Sequence, residues 1–178
     1  MIVGDKTRLR AMERGDIPAF LRWFNDPDIR GYLSMVWPIS EAQEERWFEA
    51  HLGNEGRRVF AVETAEGVHI GNIGLHDLDW KNRNAVAGIV IGEKAYWNRG
   101  YGSDALRTLL RFAFEELNLH RVSLRVFDFN ERGIRCYEKV GFRHEARLRR
   151  NHFTQGGYVD ELVMGILAEE WNAQESAA

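Results

Sequence analysis

Tyr96-Trp97-Asn98-Arg99-Gly100-Tyr101-Gly102-Ser103 is the stretch that decides how this chain folds. An apolar run from Ala85 to Ile91 leads into it, and Leu106, Leu109, Leu110, Ala113, Phe114 and Leu117 follow it at helical spacing. The order is strand, glycine turn, helix start. The first turn of a helix presents backbone N–H groups without partners at the positive end of the macrodipole. Gly100 and Gly102 lack the side chains that would keep a phosphate away from those groups. Taken alone, the segment is either a site for a phosphate-bearing cofactor or a plain tight turn. A dinucleotide fold would place G-x-G-x-x-G near its start, with an acidic residue about twenty positions on. Here Ser103-Asp104-Ala105 follow the second glycine, in mid-chain, and no Gly-Lys-Ser/Thr makes a P-loop.

Upstream, Thr7 to Met12 reads as a strand. Asp16 then caps a helix that carries Ile17, Phe20, Leu21 and Phe24 on one face. Ser40 and Gln43 form a capping-box pattern ahead of a second helix with Trp47 and Phe48. The apolar loop from Gly31 to Pro38 between them is either core cover or a wall beside a substrate. Val59 to Glu63 and Val68 to Leu78 read as a hairpin. Downstream, Arg121 to Val126 is a strand, Asn130 to about Val140 a short helix, and Phe142 to Arg149 and Val159 to Leu167 two closing strands. The pattern gives an α+β fold, a mixed α/β layer rather than strict βαβ alternation. Residues 1–172 read as one domain and 173–178 as a short frayed tail.

Asn130-Glu131-Arg132-Gly133-Ile134-Arg135-Cys136-Tyr137-Glu138-Lys139-Val140-Gly141-Phe142 is the second distinctive segment. Asn130 can cap its helix and Gly141 can end it. Together the two segments make the chain resemble the GNAT superfamily of acyl-CoA N-acyltransferases, over roughly Thr7 to Trp171. That family carries a Q/R-x-x-G-x-G/A turn after its fourth strand and N-x-x-A-x-x-x-Y-E-K-x-G-F some thirty residues later. Both occur here in order, with Gly133 in place of the alanine and Trp97 in place of Gln or Arg. The Tyr-Trp-x-x-Gly-Tyr-Gly wording is similar to ribosomal-protein N-terminal and spermidine acetyltransferases.

The resemblance implies a twisted mixed sheet of six to seven strands, about four helices, and central strands that splay apart. It implies that the backbone of Arg99, Gly100, Tyr101, Gly102 and Ser103 holds the diphosphate of acetyl-CoA, with Arg99 adding a charged contact. Main-chain groups of Ile89, Val90 and Ile91 would pair with the pantetheine arm as a false strand. Asn130 would bind the cofactor near the thioester, and Tyr137 would protonate the departing thiolate. The expected reaction is direct acetyl transfer to a primary amine, either a protein N-terminus or a small amine such as a polyamine. A catalytically idle acyl-CoA sensor or assembly module is the competing reading. Relatives often read Ala-Glu-Ile-Gly where this chain has Ala85-Val86-Ala87-Gly88, so the general base needs another source. His76, Asp77 and Asp79 are the candidates; strand alternation puts His76 on one face and Asp77 on the other. His76 is preferred because an ordinary imidazole titrates near neutrality.

Composition bounds the partners. The 178 residues are 44% apolar and carry a formal charge of −3, which gives no reason to expect nucleic-acid binding. The single cysteine, Cys136, suits a reducing compartment and has no evident His partner as a nucleophile. Met1 to Lys6 lacks the apolar core of a signal peptide, and a cytoplasmic location is expected. No metal and no membrane contact are expected, while a homodimer or larger homo-oligomer is reasonable. Glu41, Glu44, Glu45 and Glu49 lie on the second helix, where the resemblance implies the acceptor enters; they read as a group that attracts a cationic amine or, the preferred reading, as a solvated helix face. Arg143, Arg147, Arg149 and Arg150, with His144 and His152, read by default as a surface strand edge, the alternatives being contact with the CoA 3′-phosphate, RNA or an acidic partner.

Overall fold

The computed structural model describes residues 1–176. Eight strands form one sheet: β1 (Ile2–Val3), β2 (Thr7–Ala11), β3 (Arg58–Thr64), β4 (His69–Asp79), β5 (Asn84–Ile91), β6 (Arg121–Phe127), β7 (Arg143–Thr154) and β8 (Gly157–Leu167). Their spatial order is β1-β2-β3-β4-β5-β6-β8-β7, antiparallel everywhere except β5 against β6. Six α-helices accompany them: α1 (Ile17–Phe24), α2 (Pro27–Arg30), α3 (Glu41–Leu52), α4 (Tyr101–Arg111), α5 (Glu131–Val140) and α6 (Ala168–Glu175). The fold class is as the sequence implies. The strand count is one above the expected range, because the two-residue β1 adds an edge. The helix count rises through the single turn of α2 and through α6.

Strand alternation divides the apolar residues between two faces of the sheet. Leu9, Val62, Ile73, Leu75, Ala85 and Ala87 pack with Leu106, Leu109, Leu110 and Ala113 of α4 in one core. Met12, Ile17, Phe20, Trp23, Ile29 and Phe48 form a second core, joined by Val59, Val90 and Trp97. The helix at the glycine turn therefore covers one face, and α1 to α3 cover the other.

Two local devices are as the sequence indicates. The Ser40–Gln43 capping box opens α3. Asn130 caps α5, accepting the Gly133 N–H at 3.0 Å, and Gly141 closes it with φ of 111°. The expected domain end at residue 172 falls within α6, which runs through Glu175. Trp171 is buried beside Phe114, Glu170 accepts the Leu167 N–H at 3.0 Å, and Gln174 lies against Gly141. The last part of the expected frayed tail, residues 177–178, lies outside the described residues. Among the described residues no helix is long and apolar enough to cross a membrane.

Candidate active site

The site begins where β5 and β6 part. Their parallel pairing runs Asn84–Arg121, Ala85–Val122 and Val86–Ser123, and stops there. Which main-chain groups this frees follows from the β4–β5 register. Gly92 N–H bonds the Ile70 carbonyl, so alternate pairs from there, Asn72–Val90 and Gly74–Gly88, are the hydrogen-bonded ones. Ile89 and Ile91 turn their N–H and C=O groups the other way, toward the gap. This corrects the expectation for Val90, whose main chain is committed to the ladder with β4. Trp97 narrows the set further, because its indole N–H donates to the Ile91 carbonyl at 2.6 Å. Both groups of Ile89 and the N–H of Ile91 remain open to the gap.

At the mouth of the gap, Gly100 stands before α4 with φ of 86°, a left-handed conformation that a side chain would strain. Gly102, in the first turn, lacks a Cβ for a different reason. A Cβ there would meet no protein atom closer than 3.6 Å, so packing within the chain does not require the glycine. Its absent side chain leaves the N–H groups of the helix's first turn approachable. Asp104 fixes this turn against the start of β2: its carboxylate accepts the Asp5, Lys6 and Thr7 N–H groups and the Thr7 hydroxyl. The Arg99 side chain does not join the cradle as expected. Its guanidinium bonds the Ala95 carbonyl and lies over the rings of Tyr96 and Tyr101, outside the cavity lining. Neither Arg99 nor Tyr101 lines the cavity, and the Arg99 carbonyl accepts from Lys6 Nζ at 3.2 Å.

A cavity of about 840 Å³ joins these features. It brings together His76, Gly88, Ile89, Val90, Ile91, Gly100, Gly102, Ser103, Asn130 and Tyr137. Burial pushes the Tyr137 phenol well above its ordinary range, so it stays protonated. Burial likewise raises the Cys136 thiol, which lies 3.3 Å from the Ser103 hydroxyl and is a packing group. Asn130 spends its carbonyl oxygen on the Gly133 N–H, leaving its amide N–H₂ for other partners. A Cβ at Gly133 would stand 2.7 Å from Asn130 Nδ2, so an alanine there would shift the Asn130 amide.

The structure separates the three candidate bases. Asp77 is exposed, with φ of 50°, at an irregularity in the β4–β5 ladder. Asp79 accepts from the backbone and side chain of Asn82 as a turn residue. His76 alone of the three lines the cavity, directly across the ladder from Val86. It does not titrate near neutrality as expected. Burial, with the positive charge of Arg57 second, pushes its pKa down to about 4.

Sequence reading missed several cavity residues. Arg132, Arg135 and Lys139 line it from α5. Their spacing of three and then four residues was visible in the sequence and marks one helical face. Arg132 lies 3.7 Å over the Trp97 ring and 5.3 Å from that of Tyr32, bridging the walls of the gap. The loop before α3 proves to be a wall: Tyr32, Leu33, Ser34 and Met35 face the cavity. Arg57 had no local signal. The arginines of β7 lie elsewhere, Arg143 on Glu170 and Arg147 on Asp128 and Asp160.

Comparison with known proteins shows the family. Residues 6–143 match the model of the acetyltransferase (GNAT) domain. The prophage-derived N-acetyltransferase YokL of Bacillus subtilis is 33% identical over 168 residues, covering 94% of this chain and 93% of that protein. A structure of spermidine N-acetyltransferase from Vibrio cholerae, in complex with CoA and spermine, superposes with a TM-score of 0.88 at 29% identity. That match covers 93% of this chain and 98% of the other. A structure of the Vibrio enzyme described as dodecameric superposes with a TM-score of 0.81 at 27% identity, covering 94% and 97%.

Proposed function

The chain belongs to the GNAT acetyltransferases, and from that premise we propose that it moves the acetyl group of acetyl-CoA to a primary amine of the polyamine class, working as a homo-oligomer. One observation carries the reading: the glycine turn, the unpaired main chain of β5, Tyr137 and His76 all border a single cavity.

Acetyl-CoA supplies an acyl group activated as a thioester. The residues present fit it: a donor-lined turn with space where the Gly102 side chain is missing, then an open strand edge beside it. The N–H groups at the start of α4 hold the diphosphate, and Arg132, Arg135 and Lys139 add positive charge around it. Ile89 and the Ile91 N–H take the amide-rich arm as a strand partner. A backbone N–H of the open edge can meet charge that develops on the acyl oxygen.

The amine must be neutral before it attacks. Burial and Arg57 keep His76 uncharged, and they act against an ammonium in the same way. The cavity itself thus removes much of the need for a strong base, and His76 receives the amine's proton or passes it to water. Tyr137 keeps its proton and donates its O–H to the sulfur as the thiolate leaves.

The test is thiol release from acetyl-CoA with a panel of monoamines, diamines, spermidine and an N-terminal peptide, with product mass identifying the acetylated nitrogen. Amine-dependent release with an acetylated amine supports the reading. CoA binding with no transfer to any acceptor identifies an idle sensor.

A further inference from the structure

Glu44 is 4 % exposed on the inner side of α3, yet it has no partner. Neither carboxylate oxygen makes a hydrogen bond or ion pair among the described residues, and Oε1 is fully screened from solvent. Carboxylates are almost never buried in this way without compensation. Its neighbours differ: Glu45 and Glu49 both answer Arg14 at the surface. Glu44 instead borders a second cavity, of about 460 Å³, walled by Phe24, Trp37 and Trp47.

That cavity adjoins the one described above. Phe24, Ser34, Met35 and Trp47 line both, so these four side chains are what stands between the two spaces, and a long acceptor would pass among them. The ends are electrostatically opposite. At the near end stands Arg57, with no carboxylate in ion-pair range among the described residues, beside His76. At the far end a lone carboxylate borders Phe24, Trp37 and Trp47, rings whose faces attract cations, and Arg57 itself lies 5.6 Å over Trp47. The near end favours a neutral amine and the far end an ammonium.

We propose that Glu44 determines acceptor choice by holding the far ammonium group of a diamine or polyamine whose near amine is acetylated beside His76. The inference rests on the reading of the chain as an amine acetyltransferase and gives that reading an acceptor geometry. A monoamine of equal length leaves the Glu44 carboxylate buried and unpaired, which is the costly case.

The test compares diaminooctane with nonylamine, which carries a methyl group in place of the second ammonium. Wild-type kcat/KM should favour the diamine roughly 10- to 100-fold, the ordinary range for a charged hydrogen bond. Glu44→Gln should reduce that preference to within about threefold of unity while leaving nonylamine turnover and CoA affinity unchanged. Glu44→Leu should do the same and raise Tm, because a buried, unpaired carboxylate is removed. An undiminished preference in Glu44→Gln, or an equal loss for both amines, overturns the proposal. So does a variant that keeps the preference but changes subunit stoichiometry, which would make Glu44 an interface residue. If wild type acetylates neither amine, the full acceptor panel above decides separately whether the chain is an enzyme. Calorimetry of diaminooctane on the CoA-loaded protein then decides: heat lost in Glu44→Gln supports the site, and equal heat refutes it.

Discussion

The imidazole of His76 occupies room that Gly88 leaves free: Nε2 lies 2.8 Å from where a Cβ on Gly88 would stand. The two residues sit on adjacent strands, and the imidazole reaches over β5 from β4. The neighbouring strand thus places an imidazole at the level where β5 carries Val86.

Gly88→Ala should displace the imidazole at little cost in stability, since the flexible end of a side chain has to move. Its kinetics should match those of His76→Gln, with kcat/KM lowered on the order of 10- to 100-fold. Because His76 stays uncharged down to about pH 4, the wild-type profile should show no limb near pH 6.5. Rate should instead rise with pH toward the pKa of the amine. A limb near pH 6.5 that disappears in His76→Gln would show an ordinary titrating base.

The same depressed pKa links His76 to stability. Below about pH 6.5 the unfolded chain takes up a proton that the native imidazole refuses until about pH 4. Stability is therefore lost as pH falls through that window. His51 and His69, also held down by burial, act in the same direction. Denaturant titrations across that range should show a shallower slope for His76→Gln than for wild type; identical slopes would contradict the assignment.

Much of this site is legible in the sequence, and what is legible is local. The Gly100–Gly102 turn, the Asn130 cap and the Gly141 stop each depend on a few adjacent residues, and each stands as read. Long-range facts are not legible. That Ile89 and Ile91, but not Val90, face the gap depends on the β4 register. That His76 faces the cavity while its pKa is low depends on α3 and on Arg57. Glu44 is the instructive case. Glu44, Trp47, Phe48 and His51 follow at helical spacing, which places the carboxylate on the inward stripe. The signal was present, but four glutamates in one helix read more simply as a solvated face.

Tyr137→Phe should lower kcat about a hundredfold while leaving CoA affinity nearly unchanged, because the hydroxyl acts when the sulfur leaves. Single-turnover kinetics with parallel CoA titration separates the two effects. Equal loss in both would make Tyr137 a binding residue.

Asp104→Asn should destabilise the fold by about 2–3 kcal/mol, since a charged acceptor for several donors is weakened. It should also loosen the turn it anchors and raise the Kd for CoA. Urea denaturation and CoA titration on one preparation check both. Stability lost without any change in Kd would uncouple the N-terminal strand from the cradle.

The most direct measurement is calorimetric titration of CoA into wild type and Gly102→Val. A Cβ at position 102 would meet Cys136 Sγ at 3.6 Å and Ile91 Cγ1 at 3.8 Å, so the variant's Tm is measured alongside to establish that it folds. The account predicts saturable heat with wild type and none with the folded variant. No heat from wild type, or the same affinity in Gly102→Val, would contradict it.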